Sequence, residues 1–338
     1  MTDCDEALGL SVILPAYMKN PTIPDILALR RSLESVLDEP AGGPCEIILI
    51  DDGSDPPIET FSPMLGPAYR DVKSIRHRQN QGVAAALNTG LRQARHELVA
   101  RIDADDRWLA GKLGPQLALF RDADVTITGT GMIRVTPDDK KIDRHDRPEN
   151  WHDILTFLCE IGCPFPHASV IGRRSIWRLL GGYPRDARFL HCEDLALWGI
   201  WLRFFKPAAI ARPLLAHTVS DSAISSIHRE SQLGGTKIIT QRFRNLRLAD
   251  HLPAAMRSLA ESLDGSLTEA GRLAYMLWKH PYLAMQVPHA AVRQMETVLP
   301  DRLLEIVHDD AAPSWRSATG CSGADDLHDP VTIHAVVL

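Results

Sequence analysis

The sequence predicts an α/β fold in which helices cover a mostly parallel central sheet. Short apolar strand patterns alternate with helical patterns through about the first hundred residues, an alternation typical of parallel sheets. The strand patterns are apolar at nearly every position, as in strands that are buried on both faces. Two of these strands end abruptly in acidic, turn-forming clusters at residues 51–57 and 103–106. Together the three observations favour a layered sheet whose functional loops meet at the carboxyl ends of the strands.

The elements of the first half follow from periodicity. A short apolar run closed by Pro15 predicts the first strand, and apolar residues at helical spacing after Pro24 predict the first helix. An Ala-rich segment predicts the second helix. In chain order the predicted elements are a strand at 10–14, a helix at 24–37, strands at 45–50 and 72–75, a helix at 83–94 and a strand at 97–102.

The second half is less regular. Alternating Val, Thr and Ile residues predict a strand at 124–136, and the charged, turn-rich segment 137–150 predicts a flexible, lid-like loop. The elements predicted next are a helix at 151–161, a strand at 168–171, a short helix ending at 181–182, a helix at 193–205 and a strand at 208–218. From residue 231 to Pro313 the pattern is helical, and a polar tail then ends in a strand-like segment at 331–338.

Length and charge narrow the classes of function. A chain of 338 residues accommodates one large domain with an appendage, or two domains. It carries 37 Lys and Arg against 43 Asp and Glu, a formal net charge of −6. Proteins that bind nucleic acid through its phosphates need the opposite balance, so we expect no nucleic-acid partner.

Membrane and redox signals are also informative. No apolar run approaches the roughly 18 residues of a membrane span, and the start of the chain is acidic, so we expect neither a membrane-spanning anchor nor a signal peptide. The six cysteines show no metal-like spacing. We therefore expect reduced thiols in a cytoplasmic protein.

The two acidic clusters are the first candidates for chemistry. Because parallel strands present their carboxyl ends at one edge of the sheet, we expect both clusters to line a single crevice. Asp103 and Asp105 are separated by one residue at a strand end, so their carboxylates project to the same side. Such a pair suits a hard divalent cation, although an Asp-rich turn that caps a helix has the same composition.

Two further acidic pairs have alternative interpretations. Asp51 and Asp52 precede a Gly-Ser pair in an ordinary turn sequence, but a carboxylate at a strand end also accepts hydrogen bonds from a nucleobase or a ribose. Glu193 and Asp194 begin a predicted helix. They either complement the positive end of the helix dipole, or one of them is a general base.

In combination, these segments resemble the inverting GT-A glycosyltransferases of family 2, with a resemblance that spans residues 1–230. Any one segment is common, but their order and spacing are specific. The matching segments are Val12-Ile13-Leu14-Pro15-Ala16-Tyr17, Ile50-Asp51-Asp52-Gly53-Ser54, Asn80-Gln81-Gly82, Leu87-Asn88-Thr89-Gly90, Ala100-Arg101-Ile102-Asp103-Ala104-Asp105-Asp106, Gly181-Gly182-Tyr183, Glu193-Asp194 and Leu197-Trp198.

The resemblance implies both a domain organisation and an activity. It implies a GT-A fold, which is a Rossmann-like nucleotide-sugar transferase fold, with a nucleotide-binding half at 1–106 and an acceptor-binding half at 107–230. Residues 231–338 form a mainly helical extension outside it. The implied activity is metal-dependent, inverting transfer of a glycosyl group from a nucleotide-diphosphate sugar, expected to be a UDP-sugar, to a glycan or lipid-linked acceptor in surface polysaccharide biosynthesis. The implied cofactor is Mn²⁺ or Mg²⁺.

By the same resemblance, several segments bind the nucleotide-sugar donor. Residues after the first strand flank the nucleoside, and an aspartate after the second strand contacts the base. An arginine before the Asn-Gln-Gly segment approaches the base or the diphosphate, and the first aspartate of the acidic triplet holds the ribose or donor sugar. In chain order the implied donor-binding residues are Pro15, Ala16, Tyr17, Asp51, Asp52, Arg76, Arg78, Asn80 and Asp103.

The resemblance also implies metal-binding and catalytic residues. Asp105 holds the metal that bridges the donor phosphates, and either His217 or His228 completes the metal or diphosphate site. Asp194 is the catalytic base, with Glu193 as its neighbour.

The resemblance also implies that His167 and Tyr183 lie on the acceptor side of the site. The sequence departs from many relatives at two places. Leu87 stands where they have an arginine before the Asn-x-Gly segment, and Ala-Gly-Lys at 110–112 stands where they have Pro-x-Arg. The polar contacts of those two loops are therefore not carried over to this chain.

Two other functions are alternatives. A sugar-1-phosphate nucleotidyltransferase also uses an α/β nucleotide fold and a metal, but it has a Gly-rich, basic loop after the first strand, where this chain has Pro-Ala-Tyr at 15–17. A catalytically silent protein that binds nucleotides or glycans would share the fold without needing both acidic clusters and the Glu-Asp pair.

The C-terminal region lies outside the resemblance. Its segment 241–247 is basic on one face and apolar on another. Packing on the catalytic domain is the commoner arrangement for such a helix, and contact with anionic lipid is the other. Lipid-linked acceptors in relatives make peripheral association with the inner face of the membrane a reasonable expectation.

Overall fold

The computed structural model describes residues 8–122, 125–185, 189–220 and 229–244. Several expectations lie outside the described residues: the helical pattern beyond residue 244, the strand-like segment 331–338, the metal candidate His228, and Cys4 and Cys321. The other cysteines, Cys45, Cys159, Cys163 and Cys192, are free thiols.

The first half of the chain forms the predicted alternation of strands and helices. An apolar run makes each strand, and helix α1 begins with a capping box in which the Asp25 carboxylate accepts hydrogen bonds from Thr22. The elements are β1 (Leu10–Ala16), α1 (Ile23–Leu37), β2 (Cys45–Asp51), α2 (Ser62–Leu65), β3 (Val72–Arg76), α3 (Val83–Gln93) and β4 (Leu98–Arg101).

The second half adds strands and helices around the far end of the sheet. These elements are β5 (Arg107–Trp108), α4 (Leu113–Ala118), β6 (Val125–Val135), β7 (Lys141–His145), α5 (Trp151–Glu160), β8 (Ile171–Arg173), α6 (Arg174–Leu179), α7 (Glu193–Phe204), β9 (Lys206–Thr218) and α8 (Arg229–Arg244). None of the helices in the described ranges is both long enough and apolar enough to cross a membrane.

The described strands form one nine-stranded sheet in the order β3-β2-β1-β4-β8-β6-β9-β5, with β7 paired to β6. Strands β1 to β4 are parallel to one another, as the sequence predicts. Strand β8 runs antiparallel to both β4 and β6, whereas β6 and β9 are parallel. The first half of the sheet is therefore parallel, and the second half is mixed.

Each central strand is buried on both faces. In β1, Ile13 packs in the core that contains α3 and α7, whereas Val12 and Leu14 pack in the opposite core that contains α1. Successive residues point to opposite faces of a strand, so an unbroken apolar run fills both cores at once. The first core also holds the aromatic side chains of Trp177 and Trp198.

The prediction of a flexible, lid-like loop at 137–150 is wrong for residues 141–145, which form strand β7 at the edge of the sheet. The cross-strand pair of Arg134 and Asp143 stabilises this hairpin, with Arg134 Nε donating to Asp143 Oδ1 at 2.8 Å. A charged edge strand carries no apolar alternation, which explains why periodicity missed it.

The strand predicted at 168–171 is also displaced. Residues His167–Ser169 form a 3₁₀ turn, and the strand is Ile171–Arg173. The Ser169 N–H and its hydroxyl both donate to the Pro166 carbonyl, at 2.8 and 2.7 Å. This local bonding holds the segment in a turn despite its apolar composition.

Candidate functional site

A cleft of about 810 Å³ opens at the carboxyl ends of the parallel strands. One wall comes from the loops after β1 and β3, the floor from the acidic loop after β4, and the other wall from the segment that precedes α7. The predicted site residues that line it are Pro15, Ala16, Tyr17, Asp52, Asn80, Asp103, Asp105 and Glu193. The other predicted residues that the structure describes, Asp51, Arg76, Arg78, His167, Tyr183, Asp194 and His217, lie outside that lining.

Asp51 holds the turn after β2. Its buried carboxylate accepts hydrogen bonds from the N–H groups of Ser54 and Ile58, at 2.7 and 3.1 Å, and from Arg76 Nη1 at 2.8 Å. Burial raises the pKa of Asp51, but these hydrogen bonds outweigh it and hold the pKa below its ordinary value. Asp51 and Arg76 are thus bound to each other at the edge of the site.

Asp52 reaches the cleft and organises the loop that follows β3. Its carboxylate accepts the N–H groups of Gln81 and Gly82 at 3.0 and 2.8 Å, and it lies 2.6 Å from His77 Nδ1. The other ring nitrogen of His77 lies 3.0 Å from Thr89 Oγ1. Sequence reasoning missed His77, because no spacing pattern marks a single histidine whose partners are at least 12 residues away.

Asp103 is paired with an arginine inside the sheet. Arg101 is only 3% exposed, and both of its terminal nitrogens donate to the Asp103 carboxylate, in one case at 2.8 Å. Arg101 belongs to β4, so the pair fixes the carboxylate at the end of that strand. The side chain of Asp103 remains about a third exposed and lines the cleft.

Asp106 ties the acidic loop to the end of β9. Its buried carboxylate accepts the Thr218 N–H at 2.9 Å and lies 3.1 Å from His217 Nδ1. The Thr218 hydroxyl donates to the backbone carbonyl of Asp105 at 2.6 Å. The resemblance assigned no role to Asp106, and its partners lie more than a hundred residues further along the chain.

The acidic loop shifts the pKa values of its members. Desolvation in the cleft, together with the charges of Asp106 and Asp103, raises the pKa of Asp105 to about 7. Desolvation lowers the pKa of His217, but Asp106, Asp103 and Asp105 outweigh it and raise the pKa to about 9. In the absence of a bound cation, the carboxylates therefore hold a proton on His217 at neutral pH.

The donors present fit a divalent cation in part. No group of three or more His, Cys, Asp or Glu side chains within the described ranges forms a ready-made metal site. Even so, Asp105 offers an exposed carboxylate oxygen in the cleft, the ligand type that Mg²⁺ and Mn²⁺ prefer. His217 turns Nδ1 to Asp106, the arrangement by which a carboxylate orients a metal-binding histidine through its other nitrogen.

The predicted catalytic pair lies at the start of α7 with its two side chains in different surroundings. Glu193 lines the cleft, whereas Asp194 Oδ2 lies 3.6 Å from the thiol of Cys163 and 3.8 Å from His167 Nδ1. Burial and the charge of Asp194 raise the pKa of Glu193 to about 7, and burial also raises the pKa of Asp194. A carboxyl group that titrates near neutral pH suits a general base.

His167 and Tyr183 lie behind the catalytic pair. Their side chains meet with His167 Nε2 at 2.9 Å from the Tyr183 hydroxyl, and Tyr183 is buried. Burial, with a smaller contribution from Arg101, holds the pKa of His167 well below its ordinary value, so the imidazole is neutral at neutral pH. His167 Nδ1 lies 3.8 Å from Asp194 Oδ2, which is beyond hydrogen-bond distance.

Comparisons with known proteins agree with this geometry. A family model described as glycosyl transferase family 2 matches residues 11–180. EpsE of Bacillus subtilis, whose name describes a glycosyltransferase, is 30% identical over 209 residues, which cover 58% of this chain and 66% of that protein. An Escherichia coli protein named UDP-Gal:alpha-D-GlcNAc-diphosphoundecaprenol beta-1,3-galactosyltransferase is 28% identical over 202 residues, which cover 57% of this chain and 68% of that protein.

The chain thus matches about two thirds of the length of each of these relatives. Among solved structures, that of S. aureus TarS 1–349 in complex with UDP-GlcNAc aligns over 97% of this chain and 90% of that chain. Its TM-score is 0.49 and its sequence identity is 16%.

Proposed function

Because the chain belongs to glycosyl transferase family 2, we propose that it transfers a glycosyl group, with inversion, from a UDP-sugar to a hydroxyl of a glycan or lipid-linked acceptor. The observation that carries this proposal is the convergence of Asp52, Asp103, Asp105 and Glu193 in one cleft. These carboxylates come from three separate segments of the chain, and they line one cleft at the carboxyl ends of the strands, where sheets of this kind bind their ligands.

The donor occupies the wall and floor formed by the first half of the chain. Tyr17 is half exposed beside the cleft and offers a ring face to the nucleobase. Asp52 and Asn80 present polar groups on the same wall, and Asp103 is held by Arg101 at the floor, where it accepts hydroxyl groups of the ribose or sugar. Asp51, Arg76 and Arg78 contribute to donor binding from beside this wall. Asp51 and Arg76 do so through the ion pair that stabilises the turn after β2.

Asp105 and His217 are the residues that would hold a divalent cation, Mn²⁺ or Mg²⁺. A bound cation neutralises the leaving diphosphate as a Lewis acid. His217 must give up its proton to act as a ligand, so its participation depends on pH. Asp105 lines the cleft, and because its pKa is raised to about 7, its binding of a cation also releases a proton near neutral pH.

Asp194 acts as the general base, with Glu193 as its partner on the cleft wall. The acceptor oxygen forms a bond to the anomeric carbon while the bond from that carbon to the phosphate oxygen of the donor breaks. The hydroxyl proton passes to the carboxylate, and the nucleoside diphosphate departs as an anion. Attack from the face opposite the leaving group inverts the anomeric centre, as with the single carboxylate base of an inverting glycosidase.

The acceptor belongs to the class carried by a lipid diphosphate, or to a related surface glycan. The name of the E. coli relative describes transfer to a sugar on diphosphoundecaprenol. An acceptor of that kind would bring the protein to the inner face of the membrane as a peripheral enzyme. His167 and Tyr183 lie on the acceptor side, bonded to each other, with the His167 ring beside Asp194.

A nucleotide-sugar screen tests the donor assignment. Purified protein is heated with UDP-, GDP- and dTDP-sugars, with and without Mn²⁺, and a ligand of the folded state raises the melting temperature. We expect stabilisation by a UDP-sugar that increases with Mn²⁺. If no nucleotide sugar stabilises the protein under either condition, the proposed function is wrong.

Two substitutions then test the assigned roles. Asp105→Ala removes the stimulation of donor hydrolysis by Mn²⁺, while Asp38→Ala, an exposed aspartate outside the cleft, leaves it intact. Asp194→Asn removes transfer but preserves donor binding. Metal-stimulated turnover in Asp105→Ala, or unchanged transfer in Asp194→Asn, would contradict the respective assignment.

A further inference from the structure

The cleft contains two strongly basic side chains among its described lining residues, Lys19 and Arg185. Lys19 follows β1 on the nucleotide wall, and Arg185 precedes α7 on the opposite wall. Both are exposed, and neither forms an ion pair with any residue in the described ranges. By contrast, Arg76 and Arg101 each form an ion pair with an aspartate.

Buried residues lie on both sides of Arg185 in the chain, while its side chain forms no ion pair with the described residues. The preceding Tyr183 is buried and bonded through its backbone to the Asn88 amide, and Pro184 is also buried. After it, Phe189 is 1% exposed and packs in the core. An exposed guanidinium on the wall of the cleft, with no ion pair to the described residues, is available to an anionic group that enters from outside.

The chemistry of that group follows from the shape of the guanidinium. Its planar fork of N–H donors matches the oxygens of phosphate or carboxylate in a bidentate contact. On the proposed function, the anionic groups that enter this cleft are diphosphates. The leaving nucleoside diphosphate is one, and the diphosphate of a lipid-linked acceptor is the other.

We propose that Arg185 binds a substrate diphosphate and so helps to select the substrate that carries it. This proposal rests on the proposed function and adds a residue that the family resemblance did not assign. Arg185 lies on the same wall as Glu193, so an acceptor diphosphate placed there leaves the attached sugar next to the catalytic pair. A donor diphosphate would instead bridge from the acidic floor to this wall.

Binding measurements on the full chain distinguish the two sources. The probes are UDP and farnesyl diphosphate, with uridine and farnesol as counterparts that lack phosphate. Titration calorimetry with Mn²⁺ compares wild type, Arg185→Gln, Arg185→Lys and Arg212→Gln. Arg212 is an exposed arginine outside the cleft and serves as the matched control.

We expect Arg185→Gln to lower the affinity for one diphosphate probe by about tenfold or more, because a charge-assisted bidentate contact is lost. Arg185→Lys recovers part of the loss, and Arg212→Gln behaves as wild type. Weaker UDP binding alone identifies the donor as the source, and weaker farnesyl diphosphate binding alone identifies the acceptor. Uridine and farnesol binding stays unchanged in both cases.

Equal binding of both diphosphates by wild type and Arg185→Gln would overturn the proposal while leaving the proposed function intact. A loss of affinity that extends to uridine or farnesol would also overturn it, since the substitution would then have changed the shape of the cleft rather than removed a contact with phosphate. If the wild-type protein binds no UDP at all, the proposed function fails together with this inference.

Discussion

The side-chain amide of Asn88 forms two hydrogen bonds with the backbone of Tyr183. Asn88 Oδ1 accepts the Tyr183 N–H at 2.8 Å, and Asn88 Nδ2 donates to the Tyr183 carbonyl at 2.8 Å. Asn88 belongs to α3, in the parallel half of the chain, and Tyr183 belongs to the loop that precedes α7. One side chain therefore joins the two walls of the cleft across 95 residues of sequence.

Gly182 should be irreplaceable at this junction. It has a φ of +79°, and a Cβ added there would lie 2.4 Å from Asn88 Oδ1. Gly182→Ala therefore forces apart the Asn88–Tyr183 pair in addition to straining the backbone. Gly42→Ala is the matched control, because Gly42 has a φ of +68° but nothing within 4 Å of the added carbon.

We expect Gly182→Ala to lower the free energy of unfolding by about 1–3 kcal/mol more than Gly42→Ala, since buried hydrogen bonds are lost as well. Urea denaturation followed by circular dichroism measures both variants. Equal losses in the two variants would show that the contact with Asn88 carries no energy.

The two aspartates of the Asp-x-Asp segment should affect stability in opposite ways. Asp103→Asn leaves the buried guanidinium of Arg101 without its counter-charge, which costs about 3 kcal/mol. Asp105→Asn removes a carboxylate that is repelled by Asp106 and Asp103, so stability at neutral pH is retained or increased. Denaturation in chelator-treated buffer measures both changes. An equal loss in the two variants would contradict this division between a structural and a functional carboxylate.

The rate of transfer should rise with pH through neutrality. Because burial and the charge of Asp194 raise the pKa of Glu193 to about 7, Glu193 loses its proton near that pH. Below it, kcat/KM falls by about tenfold per pH unit, measured at saturating Mn²⁺. Glu193→Gln removes the neighbouring negative charge and moves the inflection to lower pH. A flat profile in the wild-type enzyme, or an inflection that Glu193→Gln leaves in place, would exclude this pair as the titrating base.

Because of Lys112, the free energy of unfolding should rise with pH above about pH 7. Its side chain is fully buried, with Nζ 4.2 Å from the centre of the Trp108 ring and donating to Gln116 Oε1 at 2.7 Å. Burial lowers the pKa of Lys112 to about 7 in the folded state. Between that value and the ordinary pKa of about 10.4, the unfolded chain binds more protons, so stability rises with pH.

Lys112→Met removes this dependence. We expect the free energy of unfolding of the wild type to gain up to about 1.4 kcal/mol per pH unit more than that of the variant between about pH 7 and pH 9. Denaturant titrations at several pH values measure the difference. Parallel pH dependences for the two proteins would mean that Lys112 keeps an ordinary pKa in the fold.

Periodicity predicted the parallel half of the fold almost completely, because a strand that is buried on both faces must be apolar along its whole length. The bounds of β1, β2 and β4 differ from the predicted ones by at most a few residues. The charged hairpin strand at Lys141–His145 escaped prediction for the converse reason. Its stability comes from pairing with β6 and from the ion pair of Arg134 with Asp143, neither of which leaves a periodic signal.

The sequence by itself determined that acidic side chains gather at the carboxyl ends of parallel strands, because the apolar runs stop at those residues and the topology brings the ends together. Only the tertiary structure decided which of them are bound by other side chains and backbone groups. Asp51 is bound to Arg76, Asp106 to His217 and Thr218, and Asp103 to Arg101, whereas the Asp105 side chain has no such partner among the described residues. Three of these partners lie 25 to 112 residues from the aspartate they bind. Hydrogen bonds between such distant residues form only when the chain has folded, so no local pattern in the sequence records them.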